Sequence, residues 1–109
     1  MPLFMIQGTY TPEAWAAQIR NPVNRLEQLR EMAAQLNGQI IDAWHAFGEY
    51  DIYMLVDSPS NVDMAGMVLS AYAGGALRAV KTTPLLSIAD GVEAMRRAQQ
   101  VPYTPPSAN

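Results

Sequence analysis

The stretch Phe47-Gly48-Glu49-Tyr50-Asp51 decides the fold, because it joins two apolar, β-prone runs, Gln39 to Ala46 and Ile52 to Asp57. Each run is rich in Ile, Val, Trp or Tyr and is bounded by turn formers, the pattern of a hairpin. Gly48 offers the turn a left-handed backbone, and Asp51 offers a carboxylate that accepts from turn amides and holds the register. In the second strand both alternating sets are largely apolar, Ile52, Met54 and Val56 on one side, Tyr53 and Leu55 on the other. Water is a poor cover for either set. Helices are expected over one side and a partner subunit's sheet over the other.

Upstream, Leu3 to Tyr10 alternates weakly and reads as a strand with both faces partly covered. Thr11-Pro12-Glu13 supplies a capping hydroxyl, a proline for the first helical position and a carboxylate for the first turn. The helix that follows carries Trp15 and Ile19 on one face. Asn21-Pro22 interrupts it, since proline lacks an amide hydrogen, and Asn21 is expected to cap a second stretch striped by Leu26, Leu29, Ala33 and Leu36. Asn37-Gly38 ends that stretch.

Downstream, Ser58 to Asp63 opens a helix containing Met64, Met67, Val68, Ala71 and Tyr72, which Gly74-Gly75 closes. Leu77 to Leu86 reads as a fourth strand. Ser87-Ile88-Ala89-Asp90 then starts a helix to about Gln99, expected to bury Ile88, Val92 and Met95. The order β-α-β-β-α-β is the ferredoxin-like, α+β arrangement: a four-stranded antiparallel sheet with two helices on one face, here followed by a C-terminal helix. The domain is expected over residues 1–101, and a proline-rich tail over 102–109.

Composition narrows the chemistry. The 109 residues suit one domain with its own core. With no cysteine, disulfides, thiolate metal sites and cysteine nucleophiles are absent together, and the compartment defaults to the cytoplasm. The short apolar run after Met1 has no preceding basic residue and fits neither a signal sequence nor a membrane span. A net charge of −3 with scattered arginines argues against nucleic acid as a partner. Half of the residues are hydrophobic and 16% are charged, more apolar material than a small monomer hides, which points to a homodimer or higher oligomer.

The candidate catalytic residues are His45 and Lys81. His45 is the only histidine and has the intrinsic pKa of a general base. Lys81 sits among Val80, Thr82 and Thr83, where partial burial would make an amine reactive. The candidate ligand-binding residues are Tyr10, Trp15, Trp44, Tyr50 and Asp51, enough aromatic surface for a small apolar or aromatic compound. All seven also suit ordinary structural duty. One histidine and no cysteine make a metal site an unfavourable reading. No helix opens behind a glycine-rich loop, so a nucleotide cofactor is not expected, and no serine sits in a nucleophile elbow.

With these elements in place, the chain resembles the GYD family of small bacterial proteins, named for a Gly-Tyr-Asp signature. The signature is carried here by Gly48-Glu49-Tyr50-Asp51. Further matches are Gly8-Thr9-Tyr10-Thr11, Asn21-Pro22 with Arg25, Leu36-Asn37-Gly38 and Lys81-Thr82-Thr83-Pro84-Leu85, spread over residues 8 to 98. Position 37 departs from the pattern, with asparagine where glycine is expected. The resemblance implies no particular reaction. It implies an architecture similar to the dimeric α+β barrels, in which two ferredoxin-like sheets pack face to face. Three functions remain open: a homo-oligomeric small-molecule binder with its pocket between sheet and helices, a cofactor-free monooxygenase- or isomerase-like enzyme, and a protein interaction scaffold.

Overall fold

The structure, a computed structural model, describes residues 2–107. Met1 of the expected domain and the last two residues of the expected tail lie outside the described residues. Eight elements follow in order: β1 (Leu3–Tyr10), α1 (Pro12–Arg20), α2 (Leu26–Gln35), β2 (Gln39–His45), β3 (Ile52–Asp57), α3 (Asn61–Ala73), β4 (Leu77–Leu85) and α4 (Ile88–Gln99). The four strands form one antiparallel sheet in the order β2-β3-β1-β4. The first crossover helix is broken in two, giving α1 and α2.

The hairpin closes as its sequence implies, with the Ala46 amide donating to the Asp51 carbonyl at 2.7 Å. Gly48 does not use the left-handed region expected of it. Among the described residues positive φ occurs only at Asn37 (61°) and Gly75 (76°). Asn37 stands where the family pattern expects glycine and does the glycine's work. It tolerates the left-handed region that ends α2, the Gly38 amide reaches Ala33 O (2.9 Å), and the Asn37 amide reaches Ala34 O (3.1 Å). Gly38 is needed for space, because a Cβ there would come within 3.4 Å of Met67 Cε and of the Ala33 and Asp57 carbonyl oxygens.

Caps set the helix starts. Thr11, Ser60 and Ser87 each accept from the amide three residues on. Asn21 does not cap α2 as expected; it closes α1, its amide bonding Ala17 O. The break extends from Asn21 to Arg25, and the Asn24 side chain instead accepts from the Leu26 amide at 2.9 Å.

Register divides the sheet into two faces. Phe4, Ile6, Ile52, Met54, Val56 and Ile40 project to one side and pack against Ala33 of α2 and Met64 and Met67 of α3. That is the core. Leu3, Met5, Gln7, Tyr53, Leu55, Thr83 and Leu85 project to the other side and are half-buried. Among the described residues no helix makes substantial contact across this second face.

The last helix overturns an expectation. Ile88, Val92 and Met95 are not buried: Ile88 is 88% exposed, Met95 is 68% exposed, and α4 has no buried residue at all. Periodicity identified an apolar stripe correctly but not what covers it. The projecting α4 and the chain after it account for a radius of gyration of 17.8 Å, against about 13 Å for a compact chain of this length.

Candidate functional site

Asp51 organises one end of the sheet. Its amide donates to Gly8 O at 2.8 Å, which fixes the residue beside β1. Its Oδ2 then accepts from two donors, the Tyr10 amide at 3.0 Å and the Trp15 indole Nε1–H at 3.2 Å. The expected bonds from turn amides are not those made. The carboxylate reaches outward, tying the hairpin to β1 and α1, while the Thr9 hydroxyl donates to Glu49 O at 3.1 Å. Charge-assisted bonds of this kind are about twice as strong as neutral ones.

With its indole N–H held, Trp15 packs edge-on against Tyr10, ring centroids 5.2 Å apart at 71°. Its other neighbour is His45, at 6.1 Å and tilted by 40°. Beside this trio a cleft of about 380 Å³ opens between the sheet and the α1–α2 break. Tyr10, Ala43, His45 and Ile52 form its sheet wall, Gln18 comes from α1, and Leu26 and Leu29 come from α2. The break itself contributes Val23, Asn24 and Arg25. An adjoining hollow of about 310 Å³ runs over Trp15, Ile19 and Pro22 and shares Gln18, Val23 and His45 with the first. Asp51 faces a separate hollow with Glu49 and Arg78, on the far side of the Tyr10–Trp15 pair.

Burial raises the Tyr10 pKa above the ordinary 10.0; the nearby Arg25 charge opposes this shift and Asp51 reinforces it. The phenol is therefore a neutral hydrogen-bond donor at physiological pH, and among the described residues its hydroxyl has no protein partner. A sign follows for stability. Because the folded state holds the phenolic proton more tightly than the unfolded state, this contribution is complete below pH 10.0 and is lost as pH rises through the folded value. In an ultraviolet phenolate titration, one of the five tyrosines should ionise late, and Tyr10→Phe should remove that step. Five tyrosines titrating together would contradict the burial of Tyr10.

The structure brings Tyr10 and His45 to one cleft and Trp15 to the hollow that adjoins it, with Asp51 tethering Tyr10 and Trp15 from behind. Trp44, about half exposed, also borders the cleft, although its register partner Tyr53 lies on the opposite sheet face from His45. Lys81 is not in this group. It is exposed on β4 opposite Gln7, on the second face of the sheet, so one ligand in the cleft does not meet both His45 and Lys81. Tyr50 lines none of these hollows. Gln18, Asn24 and Arg25 were not singled out as site residues from sequence. The usable signal was the Asn21-Pro22 break, since a loop inserted between helices over a sheet edge is where polar side chains gather. Among the described residues no group of three His, Cys, Asp or Glu could hold a metal ion, and no helix is long and apolar enough to cross a membrane.

The sequence profile of the GYD domain matches residues 4–95, which takes in the hairpin, the broken helix and all but the first residue of the four strands. The chain belongs to the GYD family. A comparison with curated protein sequences found no match. Several solved structures are similar to this GYD-domain protein. MtbAldR shares 19% identity at a TM-score of 0.55, with 79% of this chain covered and 52% of that one, so the chain spans about half of its length. FFRP-DM1 shares 13% at 0.51, covering 79% of this chain and 100% of that one. TTHA0845 of Thermus thermophilus shares 16% at 0.51, covering 80% and 95%. At these identities the likeness shows the ferredoxin-like α+β fold of the GYD domain and nothing of its chemistry.

Proposed function

We propose that this GYD-domain protein is a cytoplasmic small-molecule-binding protein that works as a homodimer or higher oligomer of the dimeric α+β barrel type. The observation that carries the binding reading is the cleft bordered by Tyr10, His45 and the α1–α2 break, together with the adjoining hollow over Trp15. It is concave, mixed apolar and polar, and has an aromatic wall held rigidly by Asp51, as small-molecule sites usually require. Trp44 adds aromatic surface at the rim. Binding is better supported than catalysis, because among the described residues no carboxylate hydrogen-bonds His45 to orient it, and Lys81 faces the other side of the sheet.

The oligomer reading rests on the second sheet face. Leu3, Met5, Tyr53, Leu55 and Leu85 form an apolar surface across three strands, and α4 presents a second apolar stripe. A sister sheet over that face would bury both alternating sets of β3. The tail from residue 102 is exposed and irregular as far as it is described, in keeping with a separate segment after a domain ending near residue 101.

The binding reading is tested by thermal denaturation against a library of small aromatic and branched aliphatic compounds at fixed protein concentration. Stabilisers should emerge, a ligand at a hundred times its Kd contributing about 2.7 kcal/mol, and Trp15→Ala should weaken their effect. A library in which nothing raises Tm contradicts the reading.

A further inference from the structure

We infer that the cleft selects a small monocarboxylate with an apolar body, its carboxylate held by Arg25 and its body lying against Val23, Leu26 and Trp15. The inference rests on the binding reading above and names the ligand class of that same site.

Among the described residues Arg25 is the only fixed charge that borders the cleft or its adjoining hollow, and no carboxylate lines either. Among the described residues Arg25 makes no ion pair; the arginines that do are Arg30, Arg96 and Arg97, paired with acids on their own helices. Arg78, which also lines a hollow, shares it with Glu49 and Asp51, whereas Arg25 borders a concave surface with no acid in its lining. The Arg25 guanidinium is near enough to the Tyr10 phenol to oppose the rise in its pKa that burial causes.

Asn24 and Tyr10 agree in sense with Arg25; Gln18, whose Nε2 donates to Ala14 O, keeps an acceptor oxygen on the α1 side of the cleft. Asn24 uses its Oδ1 to accept from the Leu26 amide, which leaves its Nδ2 hydrogens free to donate. The Tyr10 hydroxyl has no partner within the described chain, and as a neutral phenol it donates. Guanidinium, amide N–H and phenol O–H together suit a group that only accepts, and a planar carboxylate matches the guanidinium fork. The remaining walls, Val23, Leu26, Leu29, Ala43 and Ile52, ask for an apolar body. An ammonium group on the ligand would find no counter-charge there, so the cleft disfavours amines and zwitterions of the same shape.

Isothermal titration calorimetry with three probes of similar size tests this: phenylacetate, its isostere phenylacetamide, and phenethylamine. Phenylacetate should bind at least about tenfold more tightly than either, and Arg25→Gln should lower its affinity by about tenfold to a hundredfold, the usual weight of a charged hydrogen bond. The same substitution should leave phenylacetamide binding unchanged, and Arg25→Lys should retain part of the preference. Arg25 is exposed, and circular dichroism checks that both variants keep the fold. If the amide or the amine binds as tightly as the acid, or if Arg25→Gln binds phenylacetate like the parent, the charge assignment is overturned while the binding reading stands. If none of the three binds the parent and the compound library also yields no stabiliser, the binding reading itself fails.

Discussion

Asp51→Ala is expected to destabilise the fold by about 2–4 kcal/mol, because it removes the acceptor of two bonds and leaves a backbone amide and an indole N–H without partners in a partly buried place. For a domain of this size that corresponds to a fall in Tm on the order of 10 °C or more. Asp51→Asn keeps an oxygen where Oδ2 sits and loses the charge, so it should cost roughly 1 kcal/mol. The two variants separate geometry from charge. Chemical denaturation at fixed protein concentration measures both, and Trp15 emission reports locally, since Trp44 is the only other tryptophan and can be replaced by phenylalanine. An alanine variant as stable as the parent would mean that the carboxylate does not hold the aromatic wall of the cleft.

The proposed oligomer is expected to dissociate on Leu55→Lys. Leu55 lies on the central strand β3, opposite Met5 of β1 and Asp42 of β2, in the middle of the uncovered face. Burying an ammonium there costs more in lost hydration than the Asp42 carboxylate across the strand returns, and a net penalty of about 1–4 kcal/mol weakens assembly by roughly one to three decades. The fold of each chain should survive, because Leu55 points away from the core formed by Ile52, Met54 and Val56. Val62→Lys is the control: Val62 is 82% exposed on α3, outside the second sheet face, and the mass should not change.

The sequence made the sheet legible because its signals were local. Gly48 and Asp51 between two β-prone runs specify a hairpin, and Thr11, Ser60 and Ser87 each mark a helix start by a hydroxyl within reach of an amide. The same local logic misplaced the work of individual residues. Asp51 bonds across 41 and 36 residues of chain, to Tyr10 and Trp15, and no turn rule anticipates partners that only the tertiary fold supplies. Asn37 takes the left-handed position that the family pattern gives to glycine.

The site was half legible. Aromatic content nominated Tyr10, Trp15 and Trp44, and uniqueness nominated His45, all of which border the cleft or its adjoining hollow. Arg25 was noted only as part of the family pattern, with no role of its own. It matters because Pro22 lengthens the break between α1 and α2 and brings the following residues over the ends of β1 and β2, a consequence of packing rather than of spacing. Lys81 looked functional because a long cation within a β-prone run is unusual, but strand alternation sends it to the face away from the cleft. For α4, an amphipathic pattern says that Ile88, Val92 and Met95 share a face and is silent on which molecule meets it.

Sedimentation equilibrium of the unmodified chain at about micromolar concentration tests most directly whether a second copy covers the apolar side of the sheet. The account predicts a mass of at least twice the 12.0 kDa of one chain. A mass of 12.0 kDa, with the Tyr53 and Leu55 side chains open to solvent, would contradict it.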